Sequence, residues 1–104
     1  MDDFIVRGTT PTIKFCYSTI DVNDITVAYL TIKQLKNTVI ERDISTAFKD
    51  EHHIYWTLSQ EETLLLSTKS SADVKCDWKT TLGLRGESHK RSFMVVNPGK
   101  DQVI

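Results

Sequence analysis

Apolar and polar residues alternate along most of this chain with a period of two, the spacing of strands that bury one face. Ile13, Phe15 and Tyr17 alternate just after Arg7-Gly8-Thr9-Thr10-Pro11-Thr12, where glycine and proline break the backbone. The pattern predicts a bend followed by a β-strand. Val27 to Gln34 predicts a second strand, with Ala28, Leu30 and Ile32 on one face and Val27, Tyr29 and Thr31 on the other. Both faces are largely apolar, which suits the centre of a sheet. Lys36-Asn37 separates it from the more polar run Thr38 to Ile44. A two-residue hairpin with Asn37 at positive φ is therefore expected, leading into a charged strand at a sheet edge.

Ser45 to His52 reads as a polar connection, after which Ile54, Trp56 and Leu58 restore the alternation. Ser59-Gln60-Glu61-Glu62 has the form of a capping box, and Thr63 to Leu66 continues it for about one helical turn. The cleanest alternation follows: Ala72, Val74, Cys76 and Trp78 face inward, while Asp73, Lys75, Asp77 and Lys79 face water. Gly83 and Gly86 predict a turn, and Phe93 to Val96 a last strand ended by Asn97-Pro98-Gly99. About seven short strands and one helical turn fit an all-β, antiparallel β-sandwich better than any α/β fold. Its expected core is Phe15, Leu30, Ile32, Ile54, Trp56, Val74, Trp78, Phe93 and Val95.

The chain has 104 residues, the size of one domain able to bury its own core. The core spans about residues 4 to 96, followed by a tail from Asn97 to Ile104 in which Lys100 to Ile104 has too little apolar area to fold alone. Thirteen basic and fourteen acidic side chains leave a net charge of -1, which argues against nucleic acid as the main partner. The local exception is Lys75, Lys79, Arg85, Lys90 and Arg91, which outnumber Asp77 and Glu87. Met1-Asp2-Asp3 does not read as a secretory leader, and no apolar run approaches the roughly 20 residues of a membrane helix. Cys16 has the opposite parity to Ile13, Phe15 and Tyr17, whereas Cys76 shares the inward face of its strand. Two free thiols are expected rather than a disulfide.

No grouping of reactive side chains compels an enzymatic reading. His52 and His53 are adjacent on an extended chain and point to opposite sides, which does not suit a shared metal ion. His89 sits among Glu87, Lys90 and Arg91 as a surface residue. Glu62 is absorbed by the capping box, and Glu61 beside it faces elsewhere on the helix. Gly83-Leu84-Arg85-Gly86 lacks the lysine and hydroxyl of a phosphate loop, and no serine lies in a nucleophile elbow. Trp56 and Trp78 share the parity of aliphatic neighbours, which assigns both to the core rather than to a sugar-stacking platform. The expectation is no catalytic site, no metal and no cofactor.

Three segments carry a resemblance: Arg7-Gly8-Thr9-Thr10-Pro11-Thr12-Ile13-Lys14-Phe15, Tyr29-Leu30-Thr31-Ile32-Lys33, and Leu58-Ser59-Gln60-Glu61-Glu62-Thr63. In this order they resemble the immunoglobulin-like N-terminal domain of phage baseplate upper proteins and its short free-standing relatives among prophage virion genes. The resemblance implies an immunoglobulin-like sandwich in a virion, made in the bacterial host cytoplasm. It also implies anchoring to other tail or baseplate proteins, with copies of the same chain as further partners, and neither membrane nor cofactor. Baseplate upper proteins continue into further segments where this sequence stops, so a head, neck or fibre-base position remains open. A module that reads a host-surface glycan or protein is the alternative, and a small hydrolase a more distant one. The interface candidates are Phe4, Ile5, Val6 and Arg7 before the first break, and Val103 and Ile104 at the other end. Phe4 to Val6 has a second reading, as an edge strand of the same sandwich.

Overall fold

A computed structural model describes residues 3–17, 20–88 and 90–97. The described residues form nine strands: β1 (Asp3–Val6), β2 (Thr12–Cys16), β3 (Ile25–Gln34), β4 (Asn37–Asp43), β5 (Phe48–Lys49), β6 (His53–Thr57), β7 (Ala72–Thr80), β8 (Arg85–Glu87) and β9 (Arg91–Val96). Among the described residues one α-helix, α1 (Gln60–Leu64), lies between β6 and β7, and single 3-10 turns at Val22–Asp24 and Ile44–Thr46 precede β3 and β5. The larger sheet runs β1-β9-β7-β3-β4, with β8 also paired to β7, and the smaller runs β2-β6-β5. The fold is an all-β sandwich. Its order places β9, β7, β3 and β4 where an immunoglobulin-type domain has its G, F, C and C′ strands, and β2, β6 and β5 where it has B, E and D. Among the described residues every pairing is antiparallel except β1 with β9, which is parallel.

The strands beyond the expected count are β5 and β8, of two and three residues, too short to show a period. β8 and β9 pair with successive stretches of β7, so they act as one interrupted strand. At the interruption the Cys76 N–H donates to Ser88 Oγ at 2.8 Å while the Ser88 N–H donates to Cys76 O at 2.8 Å. A side-chain oxygen thus replaces a missing backbone acceptor. The β3–β4 hairpin turns one step earlier than expected: Leu35 and Lys36 hold the positive φ values, 51° and 70°, and Asn37 already belongs to β4. Both central residues of a two-residue hairpin take positive φ so that its twist matches the strands. Gly86, expected in a turn, lies in β8 opposite Trp78.

The core lies between the sheets, where Leu30, Ile32, Ile54, Trp56, Val74, Phe93 and Val95 are buried as their parity predicts. Phe15 meets Trp56 edge to face with centroids 6.0 Å apart. The Trp56 indole N–H donates to Asp43 O at 2.9 Å, so its burial leaves no orphan donor. Trp78 departs from expectation. It is half-buried and packs against the margin of the core, because its indole turns over Gly86, which has no side chain to occupy that space.

The capping box forms as the sequence predicts: the Glu62 N–H donates to Ser59 Oγ at 3.1 Å and the Ser59 N–H to Glu62 Oε1 at 2.9 Å. Thr63, fully buried, then ties α1 to the turn after β1. Its hydroxyl oxygen accepts from the Gly8 N–H at 2.9 Å and its O–H donates to Thr9 O at 3.0 Å.

Candidate functional site

The expected interface segment Phe4 to Val6 forms β1, an edge strand that pairs with β9 alone among the described residues. Parity divides its side chains. Ile5 is fully buried opposite Val95 and belongs to the chain's own core, while Phe4 faces outward opposite Met94. Phe4 and Met94 are 56% and 53% exposed. Half-buried Val6 lies opposite half-buried Val96, extending the apolar strip. Among the described residues no strand pairs with the outer side of β1; Val6 O there already accepts from the Thr9 N–H and hydroxyl at 3.3 and 2.6 Å, so the stretch at Phe4 is the template for an added strand.

Arg7 serves the fold. Its guanidinium donates to Asn97 Oδ1 at 3.0 Å and to Leu64 O at 3.1 Å, clamping the end of α1 against the end of β9. A cation beside the last helical carbonyls is favourable there. Val103 and Ile104, with the rest of the expected tail from Pro98, lie outside the described residues, as does His89.

The far end of the larger sheet holds a second apolar surface that sequence reasoning missed. Leu82 and Leu84 stand exposed on the turn between β7 and β8. Below them Val27, Tyr29, Asp77, Trp78, Lys79 and Arg85 line a shallow depression of about 340 Å³. The nine residues of β7 separate this end from the β1 edge by about 30 Å at the usual strand rise. The available signal was two leucines flanking a glycine inside a predicted turn, where solvent-facing polar residues are the rule.

Lysines cluster between the two ends without making a uniformly basic surface. Thr31, Lys33, Lys36, Asp73, Lys75 and Lys90 border a groove of about 270 Å³. Lys75 Nζ lies 2.8 Å from Glu87 Oε2 and 3.6 Å from Asp77 Oδ1, and Lys90 Nζ lies 3.9 Å from Asp73. The Glu87 hydrogen bond, with Asp77 nearby, raises the Lys75 pKa and holds the ammonium charged. Carboxylates thus interleave with the amines.

On the outer face of the smaller sheet the pairing sets Cys16 opposite His53 and Lys14 opposite Tyr55, which also faces Phe48. Phe48 stacks on Tyr55 with centroids 5.7 Å apart, and Lys14 Nζ sits 5.3 Å from the Tyr55 ring centre. His53 Nδ1 lies 2.8 Å from Asp50 Oδ1. Bonds from the His52 backbone N–H and then the His53 ring hold the Asp50 carboxyl below its ordinary pKa. Among the described residues no three His, Cys, Asp or Glu side chains converge as metal ligands, and no helix is long and apolar enough to cross a membrane. Comparison with protein-family models, with characterised proteins and with solved structures finds no significant match to this chain.

Proposed function

We propose that this chain is a structural protein of a phage virion, a tail- or baseplate-associated adaptor that acts through protein–protein contacts. The observation that carries this reading is Phe4 beside Met94 at the open edge of β1. A neighbouring virion protein contributes an extended segment that adds to β1, satisfying its free backbone groups. Its side chains cover Phe4 and Met94, whose remaining exposed area contributes roughly 1 kcal/mol each on burial. The interleaved charges of the lysine groove favour a protein partner over a phosphate polymer, which rewards an unbroken basic surface. A glycan-reading alternative rests on the depression beside Trp78 and Tyr29, since Trp56 is fully buried.

The test is incorporation into particles. Phage particles assembled with the wild-type chain are expected to contain it by mass spectrometry after gradient purification. Phe4→Asp and Met94→Asp, at side chains already half in water, leave the domain folded but absent from particles. A wild-type chain missing from purified particles, or both variants incorporated normally, overturns the proposal.

A further inference from the structure

Leu82 and Leu84 are 91% and 59% exposed on the β7–β8 turn, and the turn that carries them is fixed by hydrogen bonds. The Thr80 N–H donates to Leu84 O at 2.8 Å, the Gly83 N–H to Thr80 O at 3.0 Å, and the Leu84 N–H to Thr80 Oγ1 at 3.1 Å. The Thr81 N–H and hydroxyl both donate to Asp24 O, at 2.8 and 3.1 Å, tying the turn to the loop before β3. Gly83 between the leucines holds φ +84°. The two side chains are thus held out in water on a stiff support, and binding them costs little further ordering.

The Lys79–Arg85 pair closes the base of this turn, and both residues also line the depression with Val27, Tyr29, Asp77 and Trp78. A projecting apolar group and an apolar hollow therefore lie side by side on one surface.

We infer that this end of the sandwich is a self-association surface, where Leu82 of one copy enters the Val27, Tyr29 and Trp78 depression of a second copy and the exchange is reciprocal. Three observations select a second copy as the occupant. A two-fold contact requires one patch to complement itself, which adjacent projection and hollow allow. The rim carries an acid, Asp77, together with the bases Lys79 and Arg85, so the patch holds both charges that a two-fold contact needs to pair acid with base in each direction. A net charge of -1 leaves little repulsion between copies. The patch is small, so the dimer is weak in dilute solution and gains strength when an assembly raises the local concentration. This surface is separate from the β1 edge, which stays open in both copies.

Sedimentation velocity of the full chain over a concentration series tests the inference. The wild type is expected to show a reversible monomer–dimer equilibrium. Leu82→Asp, at a residue almost wholly in solvent, is expected to keep the wild-type melting temperature and to weaken dimerisation by about tenfold or more. Arg85→Glu weakens it independently by setting acid against Asp77, and Phe4→Asp leaves it unchanged. A wild type that stays monomeric into the millimolar range, or a dimer that survives both Leu82→Asp and Arg85→Glu, overturns the inference. A monomer whose Trp78 emission responds to oligosaccharides also overturns it and assigns the depression to sugar. Because Phe4→Asp separates the two surfaces, failure here is distinguishable from failure of the β1 docking proposal.

Discussion

Tyr17 Oη and Cys76 Sγ lie 3.2 Å apart, a polar contact inside the sandwich that joins the end of β2 to the middle of β7 across the two sheets. Tyr17 also meets Trp78 edge to face at 6.1 Å, so one side chain links the smaller sheet to the margin of the larger. Both ionisable groups are kept neutral. Burial pushes the Cys76 thiol up to about 11 from an ordinary value of 9.0, and burial followed by the Cys76 contact raises Tyr17 as well.

Stability is expected to fall in alkali as a result. Between about 9 and about 11 the unfolded chain releases the Cys76 proton while the folded chain keeps it, so the slope of stability with pH is negative there. The loss is about 2–3 kcal/mol across that window, and Tyr17 extends it to higher pH. Urea unfolding at intervals across the window measures it. An unchanged midpoint would show that the pair does not set alkaline stability.

Gly86 and Gly83 are expected to respond to alanine for different reasons. A Cβ on Gly86 would stand 2.3, 2.7 and 2.9 Å from three atoms of the Trp78 indole, so Trp78 must move. Gly86→Ala should cost about 1–3 kcal/mol and shift Trp78 emission. At Gly83 nothing lies within 4 Å, and Gly83→Ala should cost about 1–2 kcal/mol through its left-handed backbone alone. Tryptophan fluorescence separates the mechanisms, because only the first variant should change it.

Glu62 has two duties, closing the capping box and holding Arg42, whose Nη1 donates to its Oε1 at 2.6 Å. Ser59→Ala should destabilise by about 0.5–2 kcal/mol. Glu62→Ala should cost more, and Glu62→Gln should fall below both by keeping an acceptor for the Ser59 N–H. Denaturant midpoints of the three variants give the order. A harmless Glu62→Ala would mean that neither bond contributes to stability.

The long strands were legible because each buries one face, so Ala72, Val74 and Cys76 announce β7 and Ala28, Leu30 and Ile32 announce β3. Capping at Ser59 was equally plain, since its chemistry is local. β5 and β8 were not, because two or three residues carry no period and pair only where long-range packing places them. Trp78 shares the parity of buried neighbours but lays its indole over Gly86 of β8, a pairing that alternation alone does not encode. The same holds for the candidate surfaces. The apolar character of Phe4 was visible, yet its adjacency to Met94 depends on a parallel pairing between the two ends of the chain.

The two cysteines are expected to separate completely under native labelling. Cys16 is exposed on the outer face of β2, opposite His53, whereas Cys76 is fully buried with its thiol held neutral. An alkylating reagent needs both access and thiolate, and Cys76 offers neither in the folded state. One equivalent should therefore react quickly at Cys16, and the second only as fast as β7 opens, a central strand whose exposure requires near-global unfolding. Peptide mapping after timed alkylation reads both rates from one sample, and added urea should accelerate only the slow one. Equal rates at the two sites would mean that the sandwich opens around β7 far more readily than its packing implies.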